Sequence, residues 1–214
     1  MKSNISKECY IRTAYQIILN EGPQALSIRR LAKELECNTA NLYRYFKSLD
    51  ELAAYASLQY LKDYLEELKV LLNSEESSLN KFIAIWECFT RYSFKSPEVF
   101  NNLFFRNHGG SLDEIVKDYY QMFPEDMRGM SQEDKESFLN GDFDYRNYLL
   151  ALRCAKDGFF KMEDVDMVNR LSSSVYKGFL KELLDMKRAE EEVDDDLVEQ
   201  FMECLKELVR HYVT

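Results

Sequence analysis

The chain has 214 residues, 46% of them hydrophobic, and a formal net charge of −10, so it is long enough to bury a sizeable core. No apolar run approaches the length of a membrane span and no secretion signal is evident, which predicts a cytoplasmic protein with no membrane partner. Five cysteines without a Cys-x-x-Cys pair argue against a disulfide framework or a local zinc site, and predict reduced, packed thiols.

The sequence predicts an all-α fold. Seven glycines and three prolines are few, and no segment alternates apolar and polar residues over the length of a strand. The first predicted helix carries an apolar stripe at Tyr10, Ala14, Ile17 and Ile18. It ends before Gly22, which is followed by a proline, a pattern typical of a helix C-terminus.

Three helix starts follow in close succession. Ser27, Asn38 and Ser48 are each residues that favour the N-cap position, because their side-chain oxygens accept a bond from an otherwise unpaired N–H of the first turn. Ser48 and Glu51 have the spacing of a capping box. The short distance between the first two caps indicates a helix-turn-helix, and the third cap starts another helix at Leu49.

The second helix of this pair presents a polar face. On a helix over residues 39–47, Leu42 and Phe46 share one side, which must point inward. The opposite side carries Ala40, Arg44 and Lys47, with Asn41 and Tyr43 on its flanks. These groups suit base edges and phosphates in a DNA major groove. An ordinary amphipathic helix with a solvated face has the same spacing, so the pattern alone leaves both interpretations open.

These residues resemble the TetR/AcrR family of transcriptional regulators. The resemblance is carried by Ser27 to Ala32 and by Leu42 to Leu52, with the first helix before them, and it covers about the first fifty residues. It implies a three-helix DNA-binding domain at 1–48 and a helical effector-binding and dimerisation domain at 49–214.

The resemblance also implies a role for each residue of the DNA-binding set. Ser27 and Tyr43 would bond phosphates, whereas Thr39, Ala40, Asn41 and Arg44 would face bases; Tyr45 and Lys47 would flank the backbone, and Arg29 belongs to the same set. Two positions depart from the family pattern. Glu36 replaces the usual turn glycine and brings a negative charge near DNA, and Leu49 replaces a lysine that contacts phosphate.

Charge is distributed unevenly along the chain. Residues 1–48 hold eight basic and four acidic residues, a balance of +4, which leaves −14 for the remainder of the total of −10. A basic N-terminal region on an acidic body attracts phosphate locally and discourages nonspecific coating of DNA.

The body is predicted as a series of capped helices. A single helix over 49–72 would link the two domains rigidly. The next helix is predicted over 78–95, and another begins at Pro97 and is broken at 107–110. Further helices are predicted from Ser111 to Pro124, from near Ser131, and over 144–160. The last two, about 164–188 and 197–212, have wide apolar stripes. The resemblance implies that this pair forms a homodimer; a hairpin within a monomer is the alternative. A dimer would present two copies of the predicted DNA-contacting helix to a near-palindromic double-stranded DNA operator.

Aromatic residues of the body are the candidates for a ligand site, although such residues are core by default. The candidates are Trp86, Phe89, Tyr92, Phe104, His108, Tyr119 and Tyr148.

The predicted function is a ligand-responsive transcriptional regulator, a repressor that an unidentified small-molecule effector releases from its operator. Two distant histidines, no nucleophile motif and no phosphate-binding loop leave no enzyme, catalytic residue, metal or cofactor to predict. The alternative is a DNA-anchored interaction protein whose acidic body binds a protein partner, and a fully packed body without a cavity would favour it.

Overall fold

The computed structural model describes residues 5–105, 112–191 and 196–214, and in these ranges the chain is all-α. The α-helices are α1 (Lys7–Glu21), α2 (Ile28–Glu34), α3 (Leu49–Tyr60), α4 (Lys62–Leu72), α5 (Ser78–Lys95), α6 (Pro97–Phe105), α7 (Leu112–Met122), α8 (Gln132–Leu139), α9 (Phe143–Lys156), α10 (Val165–Arg188) and α11 (Leu197–Tyr212). Short 3₁₀ helices lie at Pro23–Ala25, Thr39–Arg44, Pro124–Met127 and Met162–Asp164. No described helix has the length and apolar character needed to cross a bilayer.

The chain folds into two compact units. The first contains residues up to 63 together with 98–128, and in it α3 packs against both α1 and α7. Its core includes an aromatic series in which the Phe46 ring lies 6.2 Å from Tyr10 and 5.5 Å from Tyr55, centroid to centroid. This unit extends past residue 48 because α3 buries its apolar face against α1. A functional boundary after residue 48 stays a prediction.

The second unit contains residues 64–97 and 129–214. Here α5, α9, α10 and α11 pack on one another around buried aromatic rings. Tyr176 is at the centre, with its ring centroid 5.2 Å from Phe89 and 5.3 Å from Phe143, and Trp86 lies 5.4 Å from Phe201. Close aromatic pairs of this kind add stability beyond the apolar area that they bury.

The predicted N-caps of the first unit are confirmed. The Ser27 hydroxyl accepts a bond from the N–H of Arg30 at 3.2 Å, and the Asn38 side-chain oxygen accepts one from Ala40 at 2.9 Å. Ser48 accepts from the N–H of Glu51 at 3.1 Å, and the Glu51 carboxylate accepts in return from the backbone N–H of Lys47. Each cap satisfies a donor that the helix itself leaves unpaired.

The prediction of one continuous helix over 49–72 is wrong. The helix ends at Tyr60 and a new one begins at Lys62. Between them Leu61 has φ −76° and ψ 0°, and its N–H donates to the Leu58 carbonyl at 3.1 Å, so a tighter i→i−3 bond replaces the α-helical pattern. The Leu61 side chain is buried, so packing stabilises this helix break. No glycine or proline near Leu61 indicates the break in the sequence.

The later helices agree with the sequence analysis within one or two residues, with one exception. The sequence predicts a helix that continues to residue 160, but α9 stops at Lys156. The cause is a glycine at the helix C-terminus, since Gly158 has φ +84° and its N–H donates to the Ala155 carbonyl at 3.1 Å. The predicted break at 107–110 and the Ser111 cap lie outside the described residues.

The cysteines only partly follow the prediction. Cys88 and Cys154 are buried, and burial raises their pKa values to about 12 and about 11. Cys9 and Cys204 are exposed, which contradicts the expectation that all five are packed thiols. They lie on the polar faces of α1 and α11, where the apolar periodicity does not extend to them.

Candidate DNA-binding surface and ligand pocket

The second element of the helix-turn-helix is a short 3₁₀ helix, whereas the sequence predicts a helix over 39–47. It spans Thr39–Arg44 and is closed by a bond from the N–H of Tyr45 to the Leu42 carbonyl at 3.0 Å. Leu42 and Phe46 are buried, with 1% and 2% of their surface exposed, so the inward face is confirmed. Anchoring by these two side chains fixes the direction in which the polar residues point.

Most of the predicted DNA-binding residues are exposed, either on this helix and just after it or at the start of α2. Thr39, Ala40, Tyr43, Arg44 and Lys47 are exposed, as are Ser27 and Arg29 at the start of α2, while Asn41 and Tyr45 are half-buried. Tyr45 packs inward, because its ring centroid is 5.9 Å from that of Tyr10. The Ser27 oxygen is occupied as an acceptor by its cap bond, which leaves its O–H to donate to a phosphate.

The turn before the helix is built on a non-glycine residue in the left-handed region. Glu36 has φ +48°, and its N–H donates to the Lys33 carbonyl at 3.3 Å, while the N–H of Cys37 donates to Ala32 at 2.9 Å. This pair of bonds is the Schellman termination of α2, in which glycine is the favoured residue. The structure thus confirms that Glu36 takes the left-handed turn conformation for which glycine is favoured.

The N-terminal helix is tied to two other helices of the first unit by one polar cluster. The Lys7 ammonium of α1 donates to the Tyr55 hydroxyl of α3 at 2.9 Å and to the Asp118 carboxylate of α7 at 2.6 Å, and the Tyr55 hydroxyl donates to the same carboxylate at 2.7 Å. Burial raises the pKa of Asp118, but the two hydrogen bonds and the Lys7 charge outweigh it and hold the pKa below its ordinary value. The cluster fixes the N-terminus of α1 relative to α3 and α7.

A pocket of about 80 Å³ lies within the second unit. Its walls are mainly apolar and aromatic, from α4, α5, α8 and α9. The lining includes Tyr64, Leu68, Leu72, Ile85, Trp86, Phe89, Met130, Phe138, Phe143, Leu149 and Leu150, with the polar Asp134, Ser137, Arg146, Asn147 and Arg153. An apolar cavity with a few convergent polar groups is the usual form of a small-molecule site.

The structure brings two of the candidate ligand residues together and separates the others. Trp86 and Phe89 line the pocket, whereas Tyr92 and Tyr148 belong to the same unit but are not part of the lining. Phe104 and Tyr119 lie in the first unit. His108 lies outside the described residues. Ligand contact stays a prediction for all of them.

Sequence reasoning misses the polar residues of the pocket. Asn147 accepts from the Trp86 indole N–H at 2.9 Å through its side-chain oxygen, and its amide nitrogen donates to Asn169 at 2.7 Å and to Ser172 at 2.9 Å. Arg153 pairs with Asp134 at 2.7 Å. The signal available in the sequence is an asparagine inside a helical apolar stripe. Among the described residues, no group of three or more His, Cys, Asp or Glu side chains could hold a metal ion.

The predicted dimer helices differ in what they leave exposed. On α11 the apolar stripe Leu197, Phe201, Met202, Leu205 and Val209 is buried within the single chain, so its width does not indicate an unfilled partner surface. On α10, Met167 and Leu171 are 45% and 38% exposed, and Ser174 and Gly178 continue the same side of the helix. The outward apolar surface of the pair is therefore concentrated on α10.

Comparison with known proteins bears on the region that contains the helix-turn-helix. Residues 11–56 match the family model described as "Bacterial regulatory proteins, tetR family". The match contains the buried anchors Leu42 and Phe46 and the whole exposed polar face. The N-terminal region belongs to the TetR family. The described residues have the all-α architecture that TetR regulators of known structure also have.

Solved structures share the fold along the whole chain. A TetR transcription regulator from Haloarcula marismortui has a TM-score of 0.53 at 16% identity, with 97% of this chain and 98% of that one covered. The TetR family transcriptional regulator PfmR from Thermus thermophilus has a TM-score of 0.51 at 18% identity, with 94% and 97% covered. A protein of unknown function from Rhodococcus reaches 0.64 at 12% identity, with 100% of both chains covered. No curated protein gives a significant match.

Proposed function

We propose that the protein is a homodimeric, sequence-specific TetR-family repressor that a small molecule releases from a near-palindromic operator. The observation that carries the proposal is the exposed polar face of the Thr39–Arg44 helix, held outward by the buried Leu42 and Phe46. A rigidly held element with a small residue, a cation and hydrogen-bonding groups on its outer face matches the requirements for reading a major groove.

Within this face, some side chains would contact base edges and others would contact phosphates. Arg44 and Asn41 would contact base edges, with Thr39 and Ala40 beside them, and Lys47 would contact phosphate. Arg44 carries a planar guanidinium, which binds two acceptors of a guanine at once, whereas the Lys47 ammonium acts as a point charge. Specificity therefore depends on Arg44 and general affinity on Lys47.

The pocket of the second unit supports regulation by a small molecule over recruitment of a protein partner. A fully packed body would favour the partner alternative, and the described part of the body contains an apolar pocket instead. Binding there would lower operator affinity if the ligand prefers the conformation that binds DNA poorly. The second copy in the dimer would pack on the α10 surface around Met167 and Leu171.

The test is binding to the DNA that flanks the gene, measured against random DNA of equal length across a salt series. We expect preferential, salt-sensitive binding. Arg44→Ala should reduce the preference by about 1–3 kcal/mol, and Lys47→Ala should weaken binding to both DNAs alike and flatten the salt slope. Equal affinity for both DNAs in the wild-type protein would contradict the proposal, and equal losses on both DNAs for Arg44→Ala would contradict its role.

A further inference from the structure

The polar residues of the pocket lining include two arginines and one carboxylate. Arg153 is held by Asp134 at 2.7 Å and by Glu133 at 3.2 Å, so Asp134 already has a cation against it. The Asp134 carboxylate also accepts from the Ser131 hydroxyl at 2.7 Å. A cationic ligand would have to compete with Arg153 for this carboxylate and would meet the second arginine, Arg146.

Arg146 is placed to bind a planar anion. Its guanidinium carbon lies 5.1 Å from the ring centroid of Phe138, at the aromatic wall of the pocket. A guanidinium that stacks on an aromatic ring donates through the edge of its plane rather than through the stacked face, and this edge matches the two oxygens of a carboxylate.

Tyr64 supplies another polar group to the pocket lining. It lines the pocket with Arg146 and is buried. Burial raises the pKa of the Tyr64 hydroxyl, and the Arg146 charge acts in the opposite direction. The hydroxyl thus stays protonated and keeps a proton to donate to an anion beside Arg146.

The size of the pocket limits the ligand. Its volume of about 80 Å³ is several times the roughly 10–15 Å³ that one water requires, and it is well below the roughly 300 Å³ of pockets for drug-sized ligands. The remaining walls, with Trp86, Phe89 and Phe143, are flat aromatic surfaces that suit a ring.

We propose that this pocket binds a single-ring organic acid, with the ring against Trp86 and Phe143 and the carboxylate at Arg146 and Tyr64. The proposal rests on the effector-binding function proposed above, because it names the chemical class of the effector. It assigns to Arg146 the choice of anionic over neutral and cationic ligands.

The chain provides its own reporter, since Trp86 is the single tryptophan and lines the pocket. The experiment titrates the full-length protein with benzoate, benzyl alcohol and benzylamine and follows Trp86 fluorescence. We expect benzoate to bind at least about tenfold more tightly than the other two, the difference that a hydrogen bond to a charged group makes in a desolvated site. Arg146→Gln should remove the preference, Arg146→Lys should keep part of it, and Arg210→Gln, at an exposed arginine of α11, should leave it unchanged.

Three results would overturn the proposal: equal or tighter binding of benzyl alcohol or benzylamine, no fluorescence response to benzoate up to its solubility limit, or a benzoate preference that persists in Arg146→Gln. If Arg146→Gln does not fold, Arg146→Lys decides, because retention of the full preference would contradict bidentate recognition. A parallel DNA-binding assay separates this proposal from the broader one. If benzyl alcohol releases operator DNA and benzoate is not preferred, the proposal of an organic-acid ligand is refuted. The broader proposal of ligand-controlled repression is then supported.

Discussion

Replacement of Glu36 by glycine should stabilise the protein. Glu36, in the turn that follows α2, has φ +48°, a conformation that costs a residue with a Cβ roughly 1–2 kcal/mol relative to the right-handed region. Glycine avoids this cost but loses roughly 0.5–1 kcal/mol more backbone entropy on folding. The net expectation for Glu36→Gly is a gain of about 0.5–1 kcal/mol, or a rise in Tm of about 1–4 °C for a chain of this size.

A second position in the chain offers a matched control. Glu190, in the turn that follows α10, has φ +56° and the same pair of bonds, from its own N–H to the Lys187 carbonyl at 3.3 Å and from the N–H of Glu191 to the Met186 carbonyl at 3.0 Å. Glu190→Gly should therefore raise the Tm by a similar amount. Its effect on DNA binding should be nil, because Glu190 lies outside the helix-turn-helix, whereas Glu36→Gly removes a negative charge beside the proposed DNA surface and should tighten binding about twofold to fivefold at low salt.

Thermal unfolding followed by circular dichroism measures the stability effect, and Glu36→Ala separates charge from conformation. Alanine removes the charge but keeps the Cβ, so it should share the tighter DNA binding of Glu36→Gly without the rise in Tm. Equal Tm values for the glycine and alanine variants would refute the argument that left-handed strain is stored at this turn.

Three further outcomes follow from the second unit and from the α1 cluster. Asp118→Asn should lower stability at neutral pH by about 0.5–1 kcal/mol, since the pair is partly exposed. Because the pKa of Asp118 is lowered in the folded protein, this contribution is present above its ordinary value of 3.8 and is lost as the pH falls through the folded value. In urea unfolding, the difference in stability between the two proteins should therefore shrink as the pH is lowered into the acid range. Trp86→Phe should cost about 1–3 kcal/mol in urea unfolding, because the Asn147 oxygen loses its buried donor. Leu171→Asp should shift the proposed dimer to monomer in sedimentation, and an unchanged mass would exclude this surface of α10.

The parts of the fold that the sequence predicts well depend on short-range chemistry. Ser27, Asn38 and Ser48 each act on an N–H within three residues, and the resulting helix starts are correct. The break at Leu61 depends instead on what its side chain is buried against, and no local residue signals it.

The candidate site divides in the same way. The anchors Leu42 and Phe46 follow from periodicity, as does the outward face that they fix. The distribution of the aromatic residues does not follow from periodicity, because Trp86 and Tyr119 are both buried aromatic residues of helices and yet lie in different compact units. The left-handed Glu36 follows from comparison with a family pattern rather than from any propensity of glutamate.

Asn147 gives the second unit a direct mechanical link between its pocket and the outer helix α10. One side-chain amide holds the pocket-lining Trp86 through its oxygen and the side chains of Asn169 and Ser172 on α10 through its nitrogen. A molecule that turns the indole away must break a bond whose other end orients α10. Occupancy of the pocket and association of two copies through α10 would then be thermodynamically linked, each changing the equilibrium constant of the other by the same factor.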